Sequence, residues 1–393
     1  MTNNLPLDGI KVLDFTQVML GPCATQMLAD LGADVIKIER PVYGDLSRSS
    51  IEHDQNDGDN PVYCSLNRNK RSITIDVRKP EGQAIIHEMT KTSDVVVNNF
   101  RPGVMDRNNI GYDDLSKVNN GIIFAFGSGF GSTGPYVHKG GQDVLAQAMT
   151  GTMARKADPN HPLAIYPTAL CDYSAGMHLV QGVLAALLQR HKTGRGQQVE
   201  VSLYDSMIAM QMQEAATHMY SGFDLNWAEM PLSGAFETTN GALVMIGAFK
   251  ANPLQDICKA LEIDDLSQQY PDLEIQRANR GFLQSVFYEN FAKNTTEYWI
   301  GRLEEHDMLC APIKNLAEAL KDPQTIHNQM VTEIDYVNGR KMKLVTSPIH
   351  MSDAPFAVRY APPLLGQQTN EILAEFGYNA VRIAEMKTEG LVG

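Results

Sequence analysis

The chain has 393 residues, 43% of them hydrophobic, with 31 glycines, 19 prolines and a formal net charge of −13. That length exceeds one simple core and predicts two domains, and the acidic balance argues against general binding to nucleic acid or an anionic membrane. No apolar run approaches the ~20 residues of a membrane span, and MTNNLPLDGIKVLDF lacks a basic region followed by an apolar core, so neither membrane insertion nor a secretory signal is expected.

Taken in order, residues 10–16 (IKVLDFT) form a short apolar run, the signature of a buried strand. Pro22 suits a first helical position, and Ala24, Met27, Leu28 and Leu31 mark a helix that Gly32 ends. Strands follow at 34–40 (DVIKIER), 72–77 (SITIDV), 94–100 (DVVVNNF) and 121–126, with a helix at 80–91. Strands and helices alternating at this interval predict βαβ units and a parallel sheet with helices on both faces. Ligands of such sheets lie beyond the carboxyl ends of the strands, which singles out the loops at 17–21, 39–45, 99–103 and 127–141.

Two features of this half invite a ligand. Arg68, Lys70, Arg71, Arg78 and Lys79 fall within twelve residues that hold one acid, Asp76. This cluster reads either as a solvated face or as a seat for a phosphorylated ligand. Gly129, Gly131 and Gly134 match G-x-G-x-x-G after a strand, but Pro135 follows at once where a dinucleotide fold needs a helix. A glycine loop around a substrate, or a plain turn-rich loop, fits better than a nicotinamide or flavin site.

Residues 174–191 then read as a long helix, with Met177, Val180, Leu184, Leu187 and Leu188 on one face. Eighteen residues span roughly 27 Å. Gly194 is placed to cap it in the left-handed conformation, and 198–203 alternates as a half-buried strand. Asp172 stands at the mouth of this helix. It reads either as an N-cap with no chemistry or as a carboxylate that helix-end N–H groups keep ionised and available as a nucleophile. Helical periodicity continues to about 220, a hairpin at 235–248 turns on Asn240-Gly241, and helices are expected at 253–261, 281–292 and 295–305. The proline-rich tail carries one late helix at 369–376. Boundaries follow at 1–224 for a large domain, 225–325 for a small one, and 326–393 for a segment returning to the first. Five scattered cysteines without a CxxC pair, and ten histidines without paired-ligand spacing, suit reduced thiols in a cytoplasm and imply no metal.

Several segments together resemble the family III CoA-transferases, which include formyl-CoA transferase, acetyl-CoA:oxalate CoA-transferase, carnitine CoA-transferase and the α-methylacyl-CoA racemases. The matching text is LDGIKVLDFTQVMLGP, GADVIKIERP, NRNKRSITIDVRKPEG, NNFRPGVMDR, GSGFGSTGPY, the pattern D-x-x-x-G-x-x-L-x-x-G-x-L-A-A-L from Asp172, then HKTGRGQ, and PPLLGQQTNEIL near the C-terminus. The resemblance implies a Rossmann-like α/β domain with a parallel sheet that binds CoA, a smaller α+β domain, and two chains interlocked like links of a ring. It implies no tightly bound cofactor; acyl-CoA and a small carboxylic acid are the substrates. The family's nucleophilic aspartate falls on Asp172. The CoA contacts fall on Val18, Arg40, Ile75, Asp76, Val77, Arg78, Asn99, Phe100, Arg101, Arg107 and Lys139, so the cluster from Arg68 to Lys79 gains the adenosine phosphates as its ligand. A substrate loop falls on Gly140, Gly141 and Gln142.

The implied activity is transfer of CoA between carboxylic acids through an aspartyl anhydride and an aspartyl-CoA thioester. Two departures narrow it. Where the racemases carry G-H-D this chain has Gly141-Gln142-Asp143, and an amide cannot take up a proton as imidazole can. The run of consecutive glycines that formyl-CoA transferase carries later in the chain is missing between residues 206 and 281, which puts formyl-CoA and oxalate in doubt as the specific pair. A racemase of the same family and a CoA-binding protein without turnover are the alternatives.

Overall fold

The computed structural model describes residues 5–53, 58–156, 158 and 160–393. The chain divides into two compact units, one of Met1–Thr152, Ile165–Gln211 and Ile326–Gly393, the other of Met153–Ala164 and Met212–Thr325.

The first unit is built on six strands: β1 (Lys11–Asp14), β2 (Asp34–Glu39), β3 (Lys70–Thr74), β4 (Val95–Asn98), β5 (Ile123–Ser128) and β6 (Gln198–Ser202). They lie in the order β3-β2-β1-β4-β5-β6, every neighbouring pair parallel. All six sit within three residues of the runs that predict them. Successive side chains of a strand point to opposite faces, and the burial follows that rule. Val12, Val35, Val95 and Ile123 pack with Leu28, Leu179 and Val183 on one side. Leu13, Ile36, Ile73, Val96 and Phe124 pack with Ile85, Leu115, Ile372 and Ile383 on the other.

Four helices position the site: α1 (Leu20–Asp30), α2 (Asp143–Met149), α3 (Leu170–Thr193) and α4 (Leu203–Met210). Helix α3 outruns the apolar periodicity at both ends. It closes as expected on Gly194, at φ 69°, whose N–H reaches Arg190 O at 2.8 Å.

The cluster of positive residues that the sequence suggests as a phosphate seat is mostly interior. Lys70 Nζ lies 3.1 Å from Asp14 Oδ2 and 2.7 Å from Thr25 Oγ1, fully buried. Arg68 pairs with Asp30 at 2.5 Å, and Arg71 with Asp34 at 2.8 Å and Glu375 at 2.6 Å. A buried charge must be paired to be tolerated, and these three are, so they are withdrawn from any surface patch. Only Arg78 is exposed, and it holds Asp76 at 2.8 Å.

The tail is more ordered than its prolines suggest. An antiparallel hairpin joins Val331–Asp335 to Lys341–Val345, and a second helix, Ala380–Thr388, follows Thr369–Glu375. In the second unit Ser233–Glu237 and Ala242–Ile246 form the predicted hairpin, to which Leu309–Pro312 adds a third strand. Phe236, Phe287, Phe291 and Trp299 fill the core beneath it, with the Trp299 indole donating to Phe291 O at 2.9 Å. Among the described residues, no helix is long and apolar enough to cross a membrane.

Candidate active site

A cavity of about 400 Å³ opens at the carboxyl ends of the central strands. Its walls are the loop after β1 (Gln17 to Leu20), the loop after β4 (Asn99 to Pro102), the end of β5 with its glycine loop (Gly127 to Gly131), and the stretch from Tyr136 to Gln142. Leu46, Asp172 and Leu203 complete the lining.

Asp172 is not the cap of its helix. The N-cap position is Ala169, which has no side chain to bond with. Asp143 does the capping from 29 residues away: its Oδ1 accepts the N–H of Cys171 at 2.7 Å and of Asp172 at 3.0 Å. The Asp172 carboxylate is thereby left in the first turn without its own helix's N–H groups. The backbone N–H of Leu20, the first residue of α1, is the backbone group that favours its ionised form.

Gly176 makes that approach possible. It stands one turn beyond Asp172, where a Cβ would meet Leu20 O at 3.0 Å and Cys23 Cβ at 3.4 Å. The spacing D-x-x-x-G therefore has a physical content. The glycine lets the start of α1 close on the aspartate.

Burial, and then the negative charge of Asp143, raise the Asp172 carboxyl from 3.8 to about 6, partly offset by the Leu20 N–H. The sequence suggests the reverse, a carboxylate held ionised by helix-end donors. It fails because Asp143 has taken those donors. A pKa near 6 leaves Asp172 mostly ionised at neutral pH and more basic than an ordinary carboxylate. Burial pushes the neighbouring thiols of Cys23 and Cys171 up to about 11 and about 12, so neither competes as a thiolate.

The loop after β1 is rigidly held. Gln17 N–H donates to Asn99 Oδ1 and Asn99 Nδ2 donates back to Gln17 O, both at 2.8 Å. Val18 sits at φ 68°, unusual for a β-branched residue, with its N–H on Asp45 Oδ1 at 3.0 Å. Lys37 in turn grips Asp45 and Thr16 O, each at 2.8 Å. The glycine loop folds back on itself, and a Cβ on Gly129 would lie 2.3 Å from Gly141 Cα. No helix follows Gly134 until Asp143, so the G-x-G-x-x-G lacks the helix that a dinucleotide site requires.

Of the residues marked in the sequence, the structure gathers Val18, Asn99, Phe100, Arg101, Lys139, Gly140, Gly141, Gln142 and Asp172 around the cavity. Arg40, Ile75, Asp76, Val77, Arg78 and Arg107 lie outside it. Arg40 is exposed over the Tyr43 ring, and Arg107 is exposed on a short helix. Ile75 is buried in the core with its N–H on Glu39 O. Gln142 caps α2 through the N–H of Val144 at 3.1 Å. Sequence reasoning gave no individual role to Asp143, Asp45, Lys37 and Gln17, whose contacts reach mostly across other segments of the chain.

The family model described as CoA-transferase family III matches residues 7–369. A succinyl-CoA:glutarate CoA-transferase of Homo sapiens is 32% identical, covering 100% of this chain and 91% of its own length. A formyl-CoA:oxalate CoA-transferase of Streptomyces coelicolor is 32% identical, covering 98% of this chain and 99% of its own. A solved structure of a CAIB/BAIF family protein from Brucella suis superposes with a TM-score of 0.85 at 28% identity, over 95% of this chain and 100% of that one.

Proposed function

The chain belongs to CoA-transferase family III and is an enzyme that transfers coenzyme A, and on that premise we propose that it does so through covalent catalysis by Asp172. The observation that carries this reading is the half-buried Asp172 carboxylate in the cavity wall, raised to about 6 and facing the Leu20 N–H, with no competing thiolate beside it.

One Asp172 oxygen attacks the thioester carbonyl carbon of the donor, the C–S bond breaks, and CoA leaves as thiolate from a mixed anhydride. The thiolate then attacks the Asp172 carbonyl carbon. The anhydride C–O bond breaks, the donor acid departs as carboxylate, and an aspartyl-CoA thioester remains. An acceptor carboxylate repeats both steps in reverse, so one carboxylate enters, one leaves, and no net proton is exchanged. The developing oxyanions need donors; the Leu20 N–H and backbone N–H groups of the glycine loop are the candidates. Gln142 offers no base for a racemase's proton transfer.

The cations divide by their pairing. Among the described residues Arg40, Arg101, Arg107 and Lys139 form no ion pair, unlike Arg68, Lys70 and Arg71. We assign the free ones to anionic groups of the substrates, Arg101 and Lys139 within the cavity and Arg40 and Arg107 toward the phosphates. CoA is then a substrate, with no cofactor held between turnovers. The acids named for the two relatives, glutarate and oxalate, are dicarboxylates, and small dicarboxylic acids are the acceptor class that suits a site with spare cations. Exchange measured over a panel of mono- and dicarboxylic acids tests this. Transfer confined to monocarboxylates would refute the acceptor class, and no transfer to any acid would refute the catalytic reading.

Arg101→Ala and Arg107→Ala are each expected to raise KM for acyl-CoA by about 10- to 100-fold, the equivalent of roughly 1.5–3 kcal/mol for a hydrogen bond to a charged group. Turnover should change little, because such contacts are equal in ground and transition states. An unchanged KM in both would move CoA elsewhere.

The chain is further proposed to act as an interlocked homodimer. Tyr173, Met177 and Leu188 stand exposed along α3, and the helix Met212–Ser221 buries none of its side chains, with Met219 and Tyr220 open to solvent. Apolar surface of this extent calls for a cover. Sedimentation should give a dimer at micromolar concentration; a monomer there would remove the proposal.

A further inference from the structure

Asp143 lies 5% exposed at the start of α2, and nothing in the reaction above uses it. Its bonding is all of one kind. Oδ1 accepts two backbone N–H groups from the first turn of α3, and Oδ2 accepts Gln147 Nε2 at 2.6 Å. Both oxygens act only as acceptors.

We propose that Asp143 is a positioning residue for the nucleophile: its carboxylate fixes the first turn of α3, and its negative charge stands against the Asp172 carboxylate so that this group reacts as a stronger base. The inference rests on Asp172 being the nucleophile. An Asn at this position would keep an oxygen at the same reach for both N–H groups, without the charge. The charge is therefore the part of Asp143 that capping does not require. It is also the second cause, after burial, of the elevated Asp172 ionisation.

The other groups that face Asp172 do not supply this effect. From α1 come the Cys23 thiol and the Leu20 N–H, and from α3 the Cys171 thiol. Both thiols are neutral at working pH, and the N–H acts in the opposite direction. Arg101 and Lys139 line the same cavity but do not contribute to the shift at Asp172. Asp143 is the remaining neighbour whose charge favours the protonated form of Asp172.

Removing that charge lowers the Asp172 pKa, so the acid limb of kcat/KM, which reports the free enzyme, shifts to lower pH. The test compares the parent with Asp143→Asn and Asp143→Ser. Asn keeps an oxygen for the two N–H groups without the charge; Ser, one atom shorter, gives up that reach but removes the charge without opposing the Gln147 amide. For all three, two pH profiles are recorded: acyl exchange, and formation of the covalent adduct on Asp172 from acyl-CoA alone.

The expected result is an acid limb near 6 in the parent. In both variants it falls below that value but stays above 3.8, because burial remains. The adduct profile shifts in step with the exchange profile. Coincident limbs in the parent and both folded variants would reduce Asp143 to a cap and overturn the proposal. Absence of any adduct on Asp172 in the parent would instead refute the nucleophile reading, so the two failures are told apart.

Discussion

Asp172→Asn should lose CoA exchange by several orders of magnitude and yet be the more stable protein at neutral pH. The loss follows from chemistry, since an amide oxygen neither displaces a thiolate nor accepts an acyl group at a useful rate. The gain follows from linkage. The folded-state pKa of Asp172 is raised from 3.8 to about 6, so the native fold disfavours the ionised form. That cost is absent below pH 3.8, grows as pH rises toward 6, and is fully present at pH 7. A shift of this size corresponds to about 3 kcal/mol, which a neutral isostere recovers in part or whole. Denaturant unfolding at pH 7 should place the variant above the parent, and the difference should vanish near pH 3.5. A variant less stable at pH 7 would show that the carboxylate is a structural asset and not a reactive group held at a cost.

Gly129→Ala and Gly141→Ala carry the second large effect. Neither glycine adopts a left-handed backbone, so the constraint is purely one of contact. A Cβ on Gly129 falls 2.3 Å from Gly141 Cα, and one on Gly141 falls 2.4 Å from Gly129 Cα and 2.7 Å from its N. Backbone meets backbone at both positions, and no side chain can rotate aside. The loop must open, and any oxyanion donors it carries move with it. Misplacement by ~1 Å costs on the order of 10²-fold in rate, and that fall in kcat is expected for either substitution. The cores on both faces of the sheet involve neither glycine, so global stability should change far less than activity. Parental turnover in both variants would remove the glycine loop from the transition state.

How far the sequence could be read depends on how local each signal is. The inner strands of the parallel sheet are legible because apolar runs buried on both faces look alike wherever they occur, and β6 because its alternation marks a half-buried strand. The cap at Gly194 is legible for the same reason. The tail hairpin Val331–Asp335 and Lys341–Val345 carries local signals of its own, the alternation of KMKL and Asn338-Gly339 between the strands, which the prolines that follow mask. The charge cluster misleads because density along the chain says nothing of pairing. Lys70, Arg68 and Arg71 find their acids 56, 38 and 37 residues away.

Asp172 shows the same limit in the site itself. Its place before an apolar helix is visible in the sequence, and so is the glycine four residues on. That Asp143 caps the helix in its stead, and that Gly176 admits the N-terminus of α1, are relations between distant segments. They reverse the expected direction of its ionisation.

The most direct measurement is of the intermediate. Enzyme mixed with acyl-CoA and no acceptor, then treated with hydroxylamine and digested, should yield a hydroxamate on the peptide bearing Asp172, and none from Asp172→Asn. Exchange that proceeds with no modification at Asp172, or an Asp172→Asn enzyme that remains active without reverting to Asp, would contradict covalent catalysis by this residue.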